Sequence, residues 1–350
     1  MLHRVLLATT MSLLPMTLLA QHSAPDAHAP IGIMSDHLHE AGEFMFSYRF
    51  MQMNMKDNLA GSDSISPDEI ATTVPNRFSS APMMPPTLRV VPLEMKTTMH
   101  MVGMMYAPTD RLTVALMLNL VEKDMDHLTY QGGMGTNTLG EFNTNTDGMG
   151  DTKFSILYGL LKTDSSELIL NMGLSIPTGD IDERAQILTP MNMTPSPRSP
   201  YAMQLGSGTY DLEPGLTWKH QISQHWQWGA QARYLARLED NDEDYNLGDR
   251  FSLANWVSYR LNKNVSTSLR ITYTDQDNID GLDQAIMAPV QTADPDNYGG
   301  ERWDLGFGVN FILPGDHRIA LEYETTIDQD VNGVQLEMQD MLTLGYQLAF

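Results

Sequence analysis

The residues from Glu43 to Met51 read EFMFSYRFM, and this stretch decides the fold. Positions 44, 46, 48 and 50 are all aromatic, whereas positions 45, 47, 49 and 51 hold methionine, serine and arginine. A β-strand places alternate residues on opposite faces, whereas a helix would mix these two sets. The stretch therefore predicts a strand with one aromatic face.

The same alternation returns along the rest of the chain, in segments of roughly ten residues, which is the length that a tilted strand needs to cross a lipid bilayer. These segments are 93–105, 112–121, 151–161, 167–176, 209–218, 226–238, 250–260, 265–274, 302–312, 317–325 and 339–350. Together with the first stretch they predict about twelve membrane-crossing strands.

The links between the segments alternate in length. The short links are 107–110, 163–166, 219–224, 262–264 and 314–316, and the long polar links are 56–92, 122–150, 177–208, 239–249, 275–301 and 326–338. Outer-membrane barrels have tight periplasmic turns and longer outer loops. The alternation of short and long links predicts an all-β, transmembrane, antiparallel β-barrel of about 12 strands with periplasmic N- and C-termini. A periplasmic all-β protein is the alternative.

The two ends of the chain fit export to the outer membrane. Arg4 precedes an almost wholly apolar run, so residues 1–20 are expected to be a signal peptide, with an uncleaved signal anchor as the alternative. Residues 21–42 are then a periplasmic N-terminal segment that can fold into the lumen as a plug, and residues 43–350 form the barrel. The last strand ends in Phe350 and resembles the signature read by the barrel-insertion machinery. That machinery and outer-membrane lipid are the expected macromolecular partners, and the cell outer membrane is the expected location.

Composition excludes several functions. The chain has 350 residues, 44 acidic against 21 basic, with a formal net charge of −23 and no cysteine. Nucleic-acid binders need a basic face to displace counterions from phosphate, so DNA and RNA are not expected partners. Thiol catalysis and thiolate metal sites are excluded as well. No nucleophile and base can be paired from the sequence, so an enzyme that acts on lipid is the least supported alternative, and neither an enzyme nor a cofactor is expected.

Charged strand residues are expected to face the lumen, because charge on the lipid face costs about 2–4 kcal/mol at the membrane midplane. The residues predicted to contact the solute are Arg49, Lys96, His100, Arg233, Arg237, Arg250, Arg260, Arg270, Arg302, Asp304 and Glu322. Two interpretations stay open. The arginines can form a basic wall that attracts a small polar or anionic solute, or they can belong to a salt-bridge lattice that holds a narrow barrel closed.

A second, different function is suggested by histidine and methionine near the start of the barrel. Imidazole and thioether groups bind borderline and soft metals such as copper. The candidate ligands are His22, His28, His37, His39, Met51 and Met53. Methionine also serves as a flexible apolar filler, so the methionines alone do not predict a metal site.

Five sequence stretches resemble one family of bacterial outer-membrane proteins labelled transporters, part of which carries the name of the meta-pathway of phenol degradation. The stretches are APIGIMSDHLHEAGE at 29–43, SYRFM at 47–51, PTGD at 177–180, QLGSGTYDLEPG at 204–215 and TADPDNYGG at 292–300. The resemblance implies a barrel and a transport function, with an aromatic solute implied by name only. It brings no catalytic or binding residues to this chain. The expected function is a channel for small polar or anionic solutes, with metal sequestration as the alternative.

Overall fold

The computed structural model describes residues 25, 26 and 28–350. The predicted signal peptide and His22 lie outside the described residues. The strands are β1 (Phe44–Gly61), β2 (Asp63–Ser64), β3 (Val90–Thr109), β4 (Leu112–Tyr130), β5 (Thr138–Met149), β6 (Thr152–Lys162), β7 (Ser166–Ile176), β8 (Asp211–Gln221), β9 (Trp226–Arg237), β10 (Tyr245–Asn246), β11 (Arg250–Arg260), β12 (Val265–Gln276), β13 (Asp280–Gly281), β14 (Gly300–Leu313) and β15 (His317–Ala349). The helices are α1 (Pro67–Thr73) and three 3₁₀ turns at Tyr201–Met203, Gln291–Ala293 and Pro295–Asn297.

Eleven of these strands form a closed antiparallel ring. Around the ring the order is β15, β14, β12, β11, β9, β8, β7, β6, β4, β3 and β1, and β1 pairs with β15 to close it. The 33-residue β15 crosses the wall twice, because its first half pairs with β14 and its second half pairs with β1. Gly333 has a φ of +65° at the bend. The ring therefore has twelve passes, and the predicted barrel of about 12 strands is confirmed.

The two faces of the wall follow the predicted alternation. Trp226, Tyr234, Trp303, Phe307 and Phe311 are all among the exposed large apolar residues on the outer face. The residues between them in sequence point into the barrel and are mostly buried. An apolar outer belt is thus paired with a polar, filled interior, as the lipid-facing rule requires.

The links separate into a short-turn end and a long-loop end. A tight turn lies at each of the five predicted short links, but two predicted long loops are wrong. The predicted loop 122–150 is mostly the paired strands β4 and β5, which leave a loop at 131–137. The predicted loop 326–338 is strand that bends at Gly333. Strands can continue past the apolar belt in water, so the point where apolar alternation fades does not mark the strand end.

The long loops pack against one another over their end of the barrel. Phe78, Tyr201, Tyr245 and Ile286 come from four different links and share one buried apolar cluster. The Arg198 guanidinium also bridges two of these links. The loops therefore form a cap with its own small core.

The short helix α1 belongs to this cap. Ser66 precedes it, and its hydroxyl accepts a hydrogen bond from the backbone N–H of Glu69 at 3.2 Å, which caps the helix. The buried side of the helix, Ile70 and Ala71, packs against Leu88. In the part of the chain that the structure describes, no helix is both long and apolar enough to cross a bilayer.

Candidate functional site: the lumen

The N-terminal segment lies inside the barrel and contacts separate parts of its wall. The Arg318 side chain donates a hydrogen bond to the carbonyl of Ala29 at 2.8 Å, and the Gln231 amide donates to the carbonyl of Met34 at 2.9 Å. The Gly32 backbone N–H donates to the Glu322 carboxylate at 2.6 Å. These wall residues come from β9 and β15, so the segment bridges the lumen between them.

Apolar side chains hold the same segment in place. Ala29 and Ile33 pack against Ala254 and Trp256 of β11 in one buried cluster. Ile31 is only 2% exposed and lies where a side chain on Gly345 of β15 would stand. Burying one isoleucine contributes about 1.5–3 kcal/mol, so the segment is bound by more than its hydrogen bonds.

A cavity of 560 Å³ lies beneath the loop cap at the long-loop end. Part of its lining is thioether and aliphatic, and part is cationic. The methionines that line it are Met53, Met55, Met95, Met99 and Met125. The cations that line it are Lys123, Lys153, Arg237 and Arg250. We call this space the long-loop cavity.

Ion pairs fill the lumen beside the N-terminal segment. The buried Glu213 carboxylate forms ion pairs with both Arg233, at 2.5 Å, and Lys153. On the other side, Arg270 pairs with Glu322 at 2.8 Å and also contacts Glu324. These buried pairs and the segment together occupy the middle of the barrel. The pairs correspond to the salt-bridge lattice that was one of the two interpretations of the charged lumen residues.

Nine of the eleven residues predicted to line the lumen point into it. They are Arg49, Arg233, Arg237, Arg250, Arg260, Arg270, Arg302, Asp304 and Glu322. Five of the six arginines of the predicted basic wall are paired with a carboxylate: Arg233, Arg237, Arg260, Arg270 and Arg302. The wall is therefore largely neutralised.

Lys96 and His100 are the two exceptions, and their prediction as lumen residues is wrong. Both lie at even positions of β3, on the exposed outer face, whereas Met95 and Met101 at odd positions are buried inside. His100 Nδ1 is 2.7 Å from the hydroxyl of Tyr48 on the same outer face. This hydrogen bond satisfies the imidazole outside the lumen.

Arg250 differs from the other arginines. It is exposed to the long-loop cavity, and among the described residues it has no ion pair and no side-chain hydrogen bond. Its guanidinium keeps five N–H donors available in a planar fork that matches a carboxylate. Arg250 is thus the one cation of the predicted wall that is ready for a solute.

A second cavity, of 410 Å³, opens at the short-turn end. We call it the short-turn cavity, and its lining includes His28, His37 and His39. Burial lowers the pKa of His28 well below its ordinary value and also lowers the pKa of His37, so both imidazoles are neutral near pH 7.

The structure divides the predicted metal ligands into two groups. The histidines of the N-terminal segment lie together, with ring centroids 4.5 Å apart for His28 and His37 and 4.8 Å apart for His37 and His39. Met53 instead lines the long-loop cavity, and Met51 precedes it on the same inward row of β1. The combined histidine–methionine site is therefore not formed, and Met45 is the methionine that lies beside the histidines.

Two functional features were missed by the sequence reasoning. Trp256 is 1% exposed and packs on the N-terminal segment, although tryptophan in a barrel is usually assigned to the lipid interface. Trp256 has an even position on β11, as do the inward Arg250 and Arg260, and this shared face could have predicted that Trp256 points into the lumen. The ion pair between Arg260 and Asp26, at 2.6 Å, could not be predicted from any pattern in the sequence.

Comparison with known proteins places the chain in a family. The family model described as "Putative MetA-pathway of phenol degradation" matches residues 112–343, well over half of the chain. The chain belongs to this family. The resemblance predicted from the sequence is thereby confirmed. No curated protein sequence matches the chain.

Several solved outer-membrane proteins are similar in structure to this chain. An outer membrane channel from Pseudomonas putida F1 has a TM-score of 0.60 at 13% identity, over 91% of this chain and 99% of that chain. The Pseudomonas putida toluene transporter TodX has a TM-score of 0.43 at 10% identity, over 88% of this chain and 90% of that chain. The NanC porin has a TM-score of 0.42 at 8% identity, over 85% and 98%. The closed barrel with its apolar belt is an outer-membrane barrel, as is the fold of the Pseudomonas putida F1 channel.

Proposed function

We propose that this protein is an outer-membrane channel for small solutes that join an apolar, aromatic body to one anionic or polar group. The observation that carries the proposal is the long-loop cavity, in which a methionine-lined surface faces the unpaired Arg250. Its 560 Å³ lies within the range of about 300–1,000 Å³ that small-molecule sites occupy. The family name, which refers to phenol degradation, fits a solute of this chemistry.

The cavity can distinguish solutes by two contacts. Methionine side chains are flexible and polarisable, so they adapt to the edge of an aromatic ring. The Arg250 fork can hold a carboxylate or a phenolate with paired hydrogen bonds. A neutral hydrocarbon gains only the first contact, and a small inorganic anion gains only the second. Solutes that make both contacts should bind best.

We propose the following arrangement in the membrane. The long loops lie outside the cell, and the short turns and both chain ends lie in the periplasm, as in other outer-membrane barrels. Residues 1–20 are a signal peptide, residues 21–42 are a plug segment and residues 43–350 are the barrel. The outward apolar row at the end of the chain, which includes Leu344 of β15 and the following Phe350, is the feature for the barrel-insertion machinery to recognise. The proposal assigns the protein no catalytic step.

The plug supports a gated form of the channel. The N-terminal segment and the ion pairs of Glu213 and Arg270 lie between the long-loop and short-turn cavities. A solute held near Arg250 reaches the periplasm only when the segment moves. The structure therefore corresponds to a closed state of the proposed channel.

The variant Arg250→Gln tests the proposed solute contact. It should weaken the binding of benzoate about 10–100-fold, because a hydrogen bond to a charged group contributes about 1.5–3 kcal/mol. Binding of benzyl alcohol, which has the same ring and no charge, should fall much less, because its hydroxyl accepts only a single, weaker hydrogen bond from the guanidinium. Calorimetric titration of the refolded protein measures both, and Arg111→Gln, at an exposed position of a short turn, is the matched control. Equal losses for the two ligands, or no loss, would contradict the assignment.

A further inference from the structure

Three imidazoles of the N-terminal segment converge beside the short-turn cavity. One ligand atom each from His28, Asp36 and His37 lie within 4.8 Å of one another. His37 and His39 are each more than nine-tenths buried. Three histidines in twelve residues of extended chain meet only because the segment folds back on itself inside the barrel, where the Ala29 N–H donates to the Asp36 carboxylate at 2.8 Å.

Two carboxylates fix the orientation of two of these rings. Asp36 Oδ1 lies 2.7 Å from His37 Nδ1, and Glu43 Oε2 lies 3.3 Å from His39 Nδ1. A carboxylate at Nδ1 holds the proton on that nitrogen, so Nε2 carries the lone pair. This carboxylate–histidine arrangement is the one that supports metal-bound imidazole in proteins.

The two Nε2 atoms have no other role in the fold. His37 Nε2 and His39 Nε2 are buried, and neither has a hydrogen-bond partner among the described residues. Leaving a buried polar atom unsatisfied costs about 1–3 kcal/mol, so a pair of such atoms in one cluster indicates a missing partner. Both lone pairs can be satisfied at once by a cation.

We propose that His28, His37 and His39 bind one divalent transition-metal ion, with Cu²⁺ preferred. Imidazole suits copper and zinc, and Cu²⁺ has the highest affinity of the divalent first-row series. Two nitrogens on one ion at about 2.1 Å each lie at most about 4.2 Å apart, and the ligand atoms of His28 and His37 already lie within 4.8 Å of each other. The His39 ring is 4.8 Å from the His37 ring, centroid to centroid, so it adjoins the same cluster. Met45 borders the cluster and offers a soft fourth donor.

The charges around the cluster bear on its affinity. Asp36 and Glu43 are negative, whereas Lys219 and Arg318 bring positive charge to the same side of the lumen. Lys219 is paired with Glu167 at 2.9 Å, which limits its effect. The short-turn cavity gives an ion direct access. Because all three proposed histidine ligands belong to the N-terminal segment, the ion would stabilise the fold of that segment independently of any solute.

The test uses the mature, tag-free protein refolded in detergent, with His22→Asn as the background. Titration with Cu²⁺ should give one equivalent per chain, and the electron paramagnetic resonance spectrum should show splitting by imidazole nitrogen. The double variant His37→Asn/His39→Asn should weaken binding at least about a hundredfold. The double variant His100→Asn/His225→Asn, at two exposed sites, should leave affinity and spectrum unchanged.

Two further measurements keep the test decisive. Asp36→Asn and Glu43→Gln should each weaken Cu²⁺ binding about 10–100-fold without removing a ligand nitrogen. Heat-modifiable migration on gels shows that each variant is a folded barrel. Absence of stoichiometric Cu²⁺ binding, or unchanged affinity and nitrogen splitting in the folded double variant of His37 and His39, would overturn the proposal. Zn²⁺ is expected to compete for the same site with lower affinity.

Discussion

Deleting residues 25–41 is expected to raise the single-channel conductance of the reconstituted barrel at least about fivefold, because the segment fills the width of a twelve-strand lumen. In the structure this segment is anchored to the wall by Arg318, Glu322 and Gln231. Its removal leaves those side chains lining an open aqueous path. Planar-bilayer recording of the wild-type and shortened proteins measures the change. Equal conductance would show that residues 25–41 do not close the channel.

A full-length variant separates displacement of the segment from its loss. A side chain on Gly345 would occupy the place of Ile31, so Gly345→Leu should expel the segment and also raise the conductance. Adding Ile31→Ala makes room for the leucine and should restore a low conductance. If Gly345→Leu opens the channel and the double variant stays equally open, the effect comes from the wall and not from the segment.

The second large effect is expected from Glu213→Gln. The substitution keeps the shape of the side chain and removes the charge that neutralises Arg233 and Lys153, both of which are about four-fifths buried. Breaking a buried ion pair by removing one partner costs about 3–5 kcal/mol, because the other charge is left uncompensated. The free energy of unfolding, from urea titration followed by tryptophan fluorescence, should fall by about that amount.

The same substitution at an exposed pair is the control. Glu94 pairs with Lys56 at 3.5 Å on the outside of the barrel, where the two side chains are 53% and 61% exposed. Glu94→Gln should change the free energy of unfolding by less than about 1 kcal/mol. Equal effects of Glu213→Gln and Glu94→Gln would mean that the lumen pairs do not stabilise the barrel.

The sequence could predict the barrel because alternation carries two signals at once. In the stretch from Glu43 to Met51 it gives both the strand and the face that meets lipid. The rule that charged strand residues face the lumen also predicted the inward positions of Arg49, Arg233 and Arg270. Each of these predictions depends on one strand and on the cost of charge in lipid, and therefore needs no knowledge of neighbouring strands.

The rule that charged strand residues face the lumen failed where strands leave the membrane. The outward position of Lys96 is tolerated because this part of β3 lies toward the long-loop end, where Lys56 and Glu94 form their exposed pair. His100 is tolerated on the outer face because the Tyr48 hydroxyl is within hydrogen-bond distance. Charge in sequence indicates the lumen only within the apolar belt.

Contacts between distant parts of the chain were out of reach. Arg270 and Glu322 are 52 positions apart and lie on strands that are not neighbours in the ring. Their pairing depends on the width of the barrel and on the N-terminal segment beside them, whose Gly32 N–H donates to Glu322. The sequence could place both residues in the lumen, but only the folded barrel distinguishes a paired arginine from the unpaired Arg250.

Solute flux tests the central claim most directly. Liposomes containing full-length Gly345→Leu protein should take up benzenesulfonate faster than benzyltrimethylammonium, two aromatic ions with permanent and opposite charge. Adding Arg250→Gln should remove most of this preference, because the unpaired guanidinium is then absent. Uptake no faster than into protein-free liposomes, or a preference for the cation, would contradict the assignment of the lumen as a channel for small anionic aromatic solutes.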